Sequence, residues 1–145
     1  MSRKIALVLI VMASGRAMTI PFIHRAGDGG AGDPPDAWLM PLVGDAAIGV
    51  AALVIAYLVW RMPSPGTWAA TIAWSAIGAF DAIAALLVEI SAPWPEFFML
   101  ELIGRPMFFA AVVLHAAIIV LVSRPDALEE FGIADVDSRV IAAPS

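Results

Sequence analysis

The chain has 145 residues, of which 61% are hydrophobic and only 14% charged, with a mean hydropathy of +0.90. A soluble domain of this size has no core large enough to hide so much apolar surface, so the solvent is lipid. The net charge of −5 with no cysteine excludes thiol redox chemistry, Cys-type zinc and iron–sulfur ligation, and no Lys/Arg-rich stripe supports nucleic-acid binding.

Four segments are long and apolar enough to cross a bilayer, at about 20 residues each: 4–23, 38–60, 67–90 and 102–123. They predict an all-α integral membrane protein, a four-transmembrane-helix bundle, spanning residues 1–123. The first segment also fits a secretory signal peptide, with "SRK", the apolar "IALVLIVM" and the small residues "ASG"; cleavage there would leave three helices. Its apolar run continues through "AMTIPFI", which favours an uncleaved first helix, although Arg16 is an awkward guest in a span.

The loop "HRAGDGGAGDPPDA" follows. Its "GDGGAG" comes after no strand, opens no helix and lacks a P-loop lysine, so it reads as a linker. Between the second and third spans, "RMPSPG" is short enough to force an antiparallel hairpin. "SAPWPEFFMLE" then suits a membrane–water interface, and Trp38, Trp60, Trp68 and Trp94 at span ends are expected at headgroup level. After the fourth span, residues 124–145 form an acidic tail. It is expected to be mainly solvated, with one short helix starting at Pro125, and the other reading is a docking element for a partner.

Arg3, Lys4, Arg61, Arg124 and Arg139 fall on the side holding both termini, and Arg25 and Arg105 on or near the other. This bias predicts that both termini are cytoplasmic, with an inner (cytoplasmic) membrane as the expected location.

Ionisable residues inside a membrane cost about 2.5–3.5 kcal/mol each at a helix centre on insertion scales, and they usually mark function. Here they are Arg16, Asp45, Asp81 and His115, with Glu89 and Arg105 nearer the ends. At about 1.5 Å rise per residue, Arg16, Asp45 and Asp81 fall at nearly one depth, roughly 3–6 Å outside the centre. His115 lies slightly to the cytoplasmic side. Glu89 and Arg105 are expected to meet as an ion pair about 12–15 Å out, near the outer interface.

Trp74, Gly78, Asp81, Ala85 and Glu89 share one face of the third helix, and Asp45, Gly49, Ala52 and Ala56 one face of the second. Small residues beside the carboxylates should let these helices approach closely. Since one guanidinium neutralises one carboxylate, a buried Arg16–Asp45–Asp81 cluster should leave the other aspartate holding a proton. Such a group could relay protons or bind a small polar solute, or the cluster could be interhelical glue. His115 reads either as part of the relay or as a packing residue, and Trp74 either as packing or as the wall of a ligand pocket.

Asp45 and Asp81 each open an alanine-rich apolar run, "DAAIGVAALV" and "DAIAALLV", a weak sign of an inverted repeat. With two histidines in the chain, His24 beside the outer loop and no His-Glu-x-x-His spacing, neither haem nor catalytic zinc is expected, so no cofactor and no metal.

"VGD…G…A" in the second span and "W…GAFD…A" in the third resemble a pattern of small uncharacterised multi-pass membrane proteins of bacteria. The resemblance covers the middle third of the chain. It implies that Gly44, Asp45, Gly49, Trp74, Gly78 and Asp81 form a unit and implies no activity; Ser75 stands where that pattern has asparagine.

The leading expectation is a small transporter or channel, proton-linked or for a small solute, in a lipid bilayer and as a homo-oligomer. The alternative is a non-catalytic accessory subunit of a larger membrane complex. No nucleophile motif or metal-ligand spacing supports an enzyme.

Overall fold

A computed structural model describes residues 1–28, 34, 36–93 and 100–133, without the side chains of 25, 27 and 100–104. Trp94, Arg139, the "GDGGAG" linker beyond Asp28, most of the "SAPWPEFFMLE" segment, the tail after Ile133 and the Arg25 side chain therefore lie outside the described residues.

The described chain is all-α: α1 (Ser2–Ala13), a 3-10 segment (Ser14–Thr19), α2 (Ile20–Gly27), α3 (Leu39–Arg61), α4 (Pro65–Ser91), α5 (Leu100–Val122) and α6 (Pro125–Glu130). Among the described residues, four stretches are long and apolar enough to span a membrane, Ser2–His24, Leu39–Arg61, Pro65–Ser91 and Arg105–Val122. The protein is an integral membrane four-helix bundle. The first span packs beside α3 and α5, and α4 closes the ring against the same two helices. Large apolar side chains such as Leu53, Tyr57, Ile77, Phe80, Leu87, Phe109 and Val113 point outward, a surface that water would not tolerate and lipid tails match.

The hairpin between α3 and α4 forms where the sequence places it. The Ser64 hydroxyl accepts from the Thr67 N–H at 3.2 Å, with Pro65 in the first turn of α4, where its missing N–H has no cost.

Contrary to the expectation of one continuous first helix, this span is broken in its middle. Pro21 has no N–H to bond the carbonyl four residues back, that of Ala17, and its ring crowds that oxygen. The Ile20 N–H bonds the Ala17 carbonyl instead, in the tighter three-residue pattern. Hydroxyls add to the break: Ser14 Oγ donates to the Val11 carbonyl at 2.6 Å and Thr19 Oγ1 to the Arg16 carbonyl at 2.8 Å.

Two apolar clusters divide the bundle. One, towards the termini, joins Ala6, Ile10 and Ala13 to Ile48, Ile55 and Val59, Trp74, Ile118 and Val122. The other, towards the opposite end, joins Ala26, Trp38, Leu42, Ala85 and Phe108. Trp38 stands at the start of α3, at a span end, and is buried there: it stacks near Phe108 and donates its indole N–H to the Ala92 carbonyl at 2.9 Å. The physical reason is the end of α4, whose last carbonyls have no helical partner.

The start of the tail also differs from a solvated segment. Helix α6 docks on the N-terminus, with Ala127 and Phe131 buried. Gly132 has φ +74°, and it closes α6 with Gly132 N–H to the Glu129 carbonyl and Ile133 N–H to the Leu128 carbonyl, both 3.0 Å, the Schellman pattern that favours glycine. Asp126 accepts from the Ser2 N–H and the Ser2 hydroxyl, each at 2.9 Å, and from the Met1 ammonium at 3.1 Å. Arg3 Nε pairs with Glu130 at 2.6 Å.

Those bonds to Asp126, the Ser2 N–H foremost, then the terminal ammonium and the Ser2 hydroxyl, hold its carboxyl well below the ordinary aspartate value near 3.8. A lowered folded value means that the contribution is complete above the ordinary value and is lost only as pH falls through the lowered one. Docking of α6 should therefore persist from neutral pH down to that ordinary value and loosen below it. Pepsin cleavage around Phe131, followed by mass spectrometry, checks this; in Asp126→Asn the same cleavage should already be fast at the upper end of the pepsin range.

Candidate functional site

Between the two apolar clusters lies one polar layer, to which every span contributes. Arg16 comes from the 3-10 segment, Asp45 from α3, Gly78 and Asp81 from α4 and His115 from α5. On each element these positions fall between a residue of one cluster and a residue of the other: Ala13 and Ala26, Leu42 and Ile48, Trp74 and Ala85, Phe108 and Ile118.

The guanidinium of Arg16 is the hub. Its Nε donates to Asp45 Oδ1 at 2.6 Å and its Nη2 pairs with the same oxygen. Nη2 also donates to Asp81 Oδ2 at 2.5 Å. Nη1 donates to the Gly78 carbonyl at 3.0 Å and faces His115 Nε2 at 3.0 Å. These contacts use the full donor set of a guanidinium. Both carboxyl groups thus meet the same guanidinium nitrogen, Nη2.

Arginine has no acceptor, so His115 Nε2 must accept from Nη1. The hydrogen-bond network thereby assigns the ring's own hydrogen to Nδ1. His115 is fully buried, and its Nδ1 has no partner among the described residues.

Glycines make room for these groups. A Cβ at Gly44 would lie 3.0 Å from Asp81 Cγ and closer still to its Oδ1; one at Gly78 would lie 2.9 Å from His115 Nδ1 and closer to the rest of the ring edge. One at Gly49 would lie 2.8 Å from the Arg16 carbonyl carbon and 2.9 Å from Ala17 Cα. Of these three glycines, Gly44 on α3 makes room for a side chain of α4. Gly49 instead admits the backbone of the first span, and Gly78 the ring from α5.

Trp74 is buried, donates its indole N–H to the Ile48 carbonyl at 3.1 Å and meets the His115 ring edge-on, with centroids 4.9 Å apart. It holds the histidine from the side of the terminal-end cluster. Glu89 is half-buried on α4 and Arg105 exposed on α5, both away from this layer. His24 is exposed, with its Nδ1 2.7 Å from Asp28, and takes no part.

Arg16, Asp45 and Asp81 keep 11%, 24% and 18% of their side-chain surface exposed. The carboxyls are thus reachable from outside the packed helices, and their remaining lone pairs can take a proton or a polar hydrogen. What sequence reasoning missed is Ser75, a buried hydroxyl one turn from Gly78, and the Gly78 carbonyl itself. A buried serine in an apolar helix was the available signal for the first, and a backbone acceptor leaves none. No protein-family model, curated protein or solved structure matches the chain, so the site is read from its own geometry.

Proposed function

We propose that the protein is a small proton-linked transporter or channel whose Arg16–Asp45–Asp81–His115 layer binds and passes a proton. The observation that carries this reading is one guanidinium shared between two carboxyls, both on its Nη2. With both carboxyls ionised the group has one negative charge in excess, and one added proton makes it neutral. A layer that changes between these states at mid-span is a proton-binding site.

Charge bias supports an orientation with both termini in the cytoplasm of a bacterial cell, since Arg3, Lys4, Arg61 and Arg124 gather at the end where α6 meets the N-terminus. The accessory-subunit reading draws on one observation, that every Arg16 donor is satisfied within the chain, as structural glue would require.

Proteoliposomes carrying a potassium gradient, valinomycin and an internal pH dye separate the two. Wild-type protein should admit protons well above empty liposomes, and Asp45→Asn with Asp81→Asn should return the flux to that background. Flux and pH dependence unchanged in the double variant would remove the transport reading.

A further inference from the structure

Below the polar layer, α4 carries a column of hydroxyls. Thr67, Thr71 and Ser75 stand at four-residue steps on the inward face, all buried, and Gly78 follows one turn on. From Thr67 to Gly78 this covers about 16 Å of helix at 1.5 Å per residue. The column begins at the turn between α3 and α4, where Thr67 Oγ1 donates to the Met62 carbonyl at 2.7 Å and lies 3.0 Å from Ser64 Oγ. Thr71 Oγ1 donates to the Thr67 carbonyl at 2.8 Å.

Ser75 breaks that habit. A serine inside a helix ordinarily bonds a carbonyl one turn back, as Ser91 does to Leu87 at 3.0 Å. Ser75 Oγ, fully buried, has no partner among the described residues, and neither does His115 Nδ1. An unpaired buried polar group is costly, and two occur within about one helical turn of the same place: Ser75 precedes by one turn the glycine on which the His115 ring lies. One is a hydrogen donor by the assignment above, the other a hydroxyl able to accept and donate.

We propose that Ser75 Oγ and His115 Nδ1 bind internal water, and that Thr71 and Thr67 extend it as a narrow file to the aqueous end at Ser64. The polar layer then exchanges protons with the side that carries the termini. Each of the two atoms lacks a partner among the described residues, the need that buried water meets. The proton step rests on the proposed function; the hydration does not.

The chain has no cysteine, so Ser75→Cys and Thr71→Cys each give a single thiol at a small polar position, and either suffices if the other fails to fold. Phe80→Cys and Ile77→Cys, on the outward face of the same helix, are the lipid-facing comparison. Silver ions are added to one side of sealed vesicles, and the thiols left free are counted by alkylation in denaturant. Silver supplied on the side of the termini should block Ser75→Cys and Thr71→Cys at least about a hundredfold faster than the outward thiols, because thiolates and ions need water. Silver on the other side should be slow at all four. Blocking no faster than at the outward positions, or equally fast from the opposite side, overturns the file.

Proton flux in the same vesicles keeps the two readings apart. A silver-accessible Ser75→Cys with no carboxyl-dependent flux in the wild type retains the file and removes the relay. Carboxyl-dependent flux with a silver-silent Ser75→Cys does the reverse.

Discussion

Arg16→Met should lower the folding stability by about 3–5 kcal/mol, the cost of breaking a buried ion pair by removing one partner. The loss is large because one side chain serves Asp45, Asp81, the Gly78 carbonyl and His115 Nε2 together. Methionine fills similar volume and is at home in lipid, so packing contributes little. Arg16→Lys should recover only part of the loss, since an ammonium has three donors and no planar fork. Combining Arg16→Met with Asp45→Asn and Asp81→Asn removes every formal charge and should regain much of the stability lost by Arg16→Met alone. Unfolding of each variant in one detergent, followed by tryptophan fluorescence, measures this. An Arg16→Met protein as stable as the wild type would mean that the layer is not held by its arginine.

The elements of this layer differ in how plainly the sequence announces them. Asp45, Asp81 and Arg16 are legible because charge is rare in a span and helical rise converts residue number into depth. His115 is legible in depth, but its bond to Arg16 depends on how far a long side chain reaches across the bundle. The break in the first span has a local signal, Pro21 following Ser14, Gly15 and Thr19, which the apolar run conceals. Position places Trp38 at a span end, but its bond to the Ala92 carbonyl is visible only in the packed structure. Helix α6 carries its own stop signal in Leu128, Gly132 and Ile133, but burial of Phe131 depends on a surface built by the N-terminus. Ser75 is the hardest: one hydroxyl in an apolar helix is ordinary until its missing partner is visible.

Gly49→Val should be the most disruptive substitution of a residue that makes no polar contact of its own. The atoms that an added Cβ would meet are Arg16 and Ala17 backbone, and backbone cannot rotate aside as a side-chain tip does. The 3-10 segment would have to lift away from α3, at a cost of about 1–3 kcal/mol typical of overpacking. Gly15→Ala is the matched comparison, because an added Cβ there meets nothing within 4 Å and alanine favours helical backbone by about 0.5–1 kcal/mol over glycine. Gly15→Ala should therefore leave unfolding unchanged or slightly delayed, and Gly49→Val should advance it; equal midpoints would mean that the first span does not rest on Gly49. Lifting the segment also draws the guanidinium off Asp45, so proton flux should fall together with stability. The Arg16→Met, Asp45→Asn, Asp81→Asn protein leaves no charge buried alone and keeps the segment on Gly49, while losing the exchangeable charge. Stability and flux should separate in that variant and move as one in Gly49→Val, which is the pattern expected if the backbone seat at Gly49 exists to place a charge.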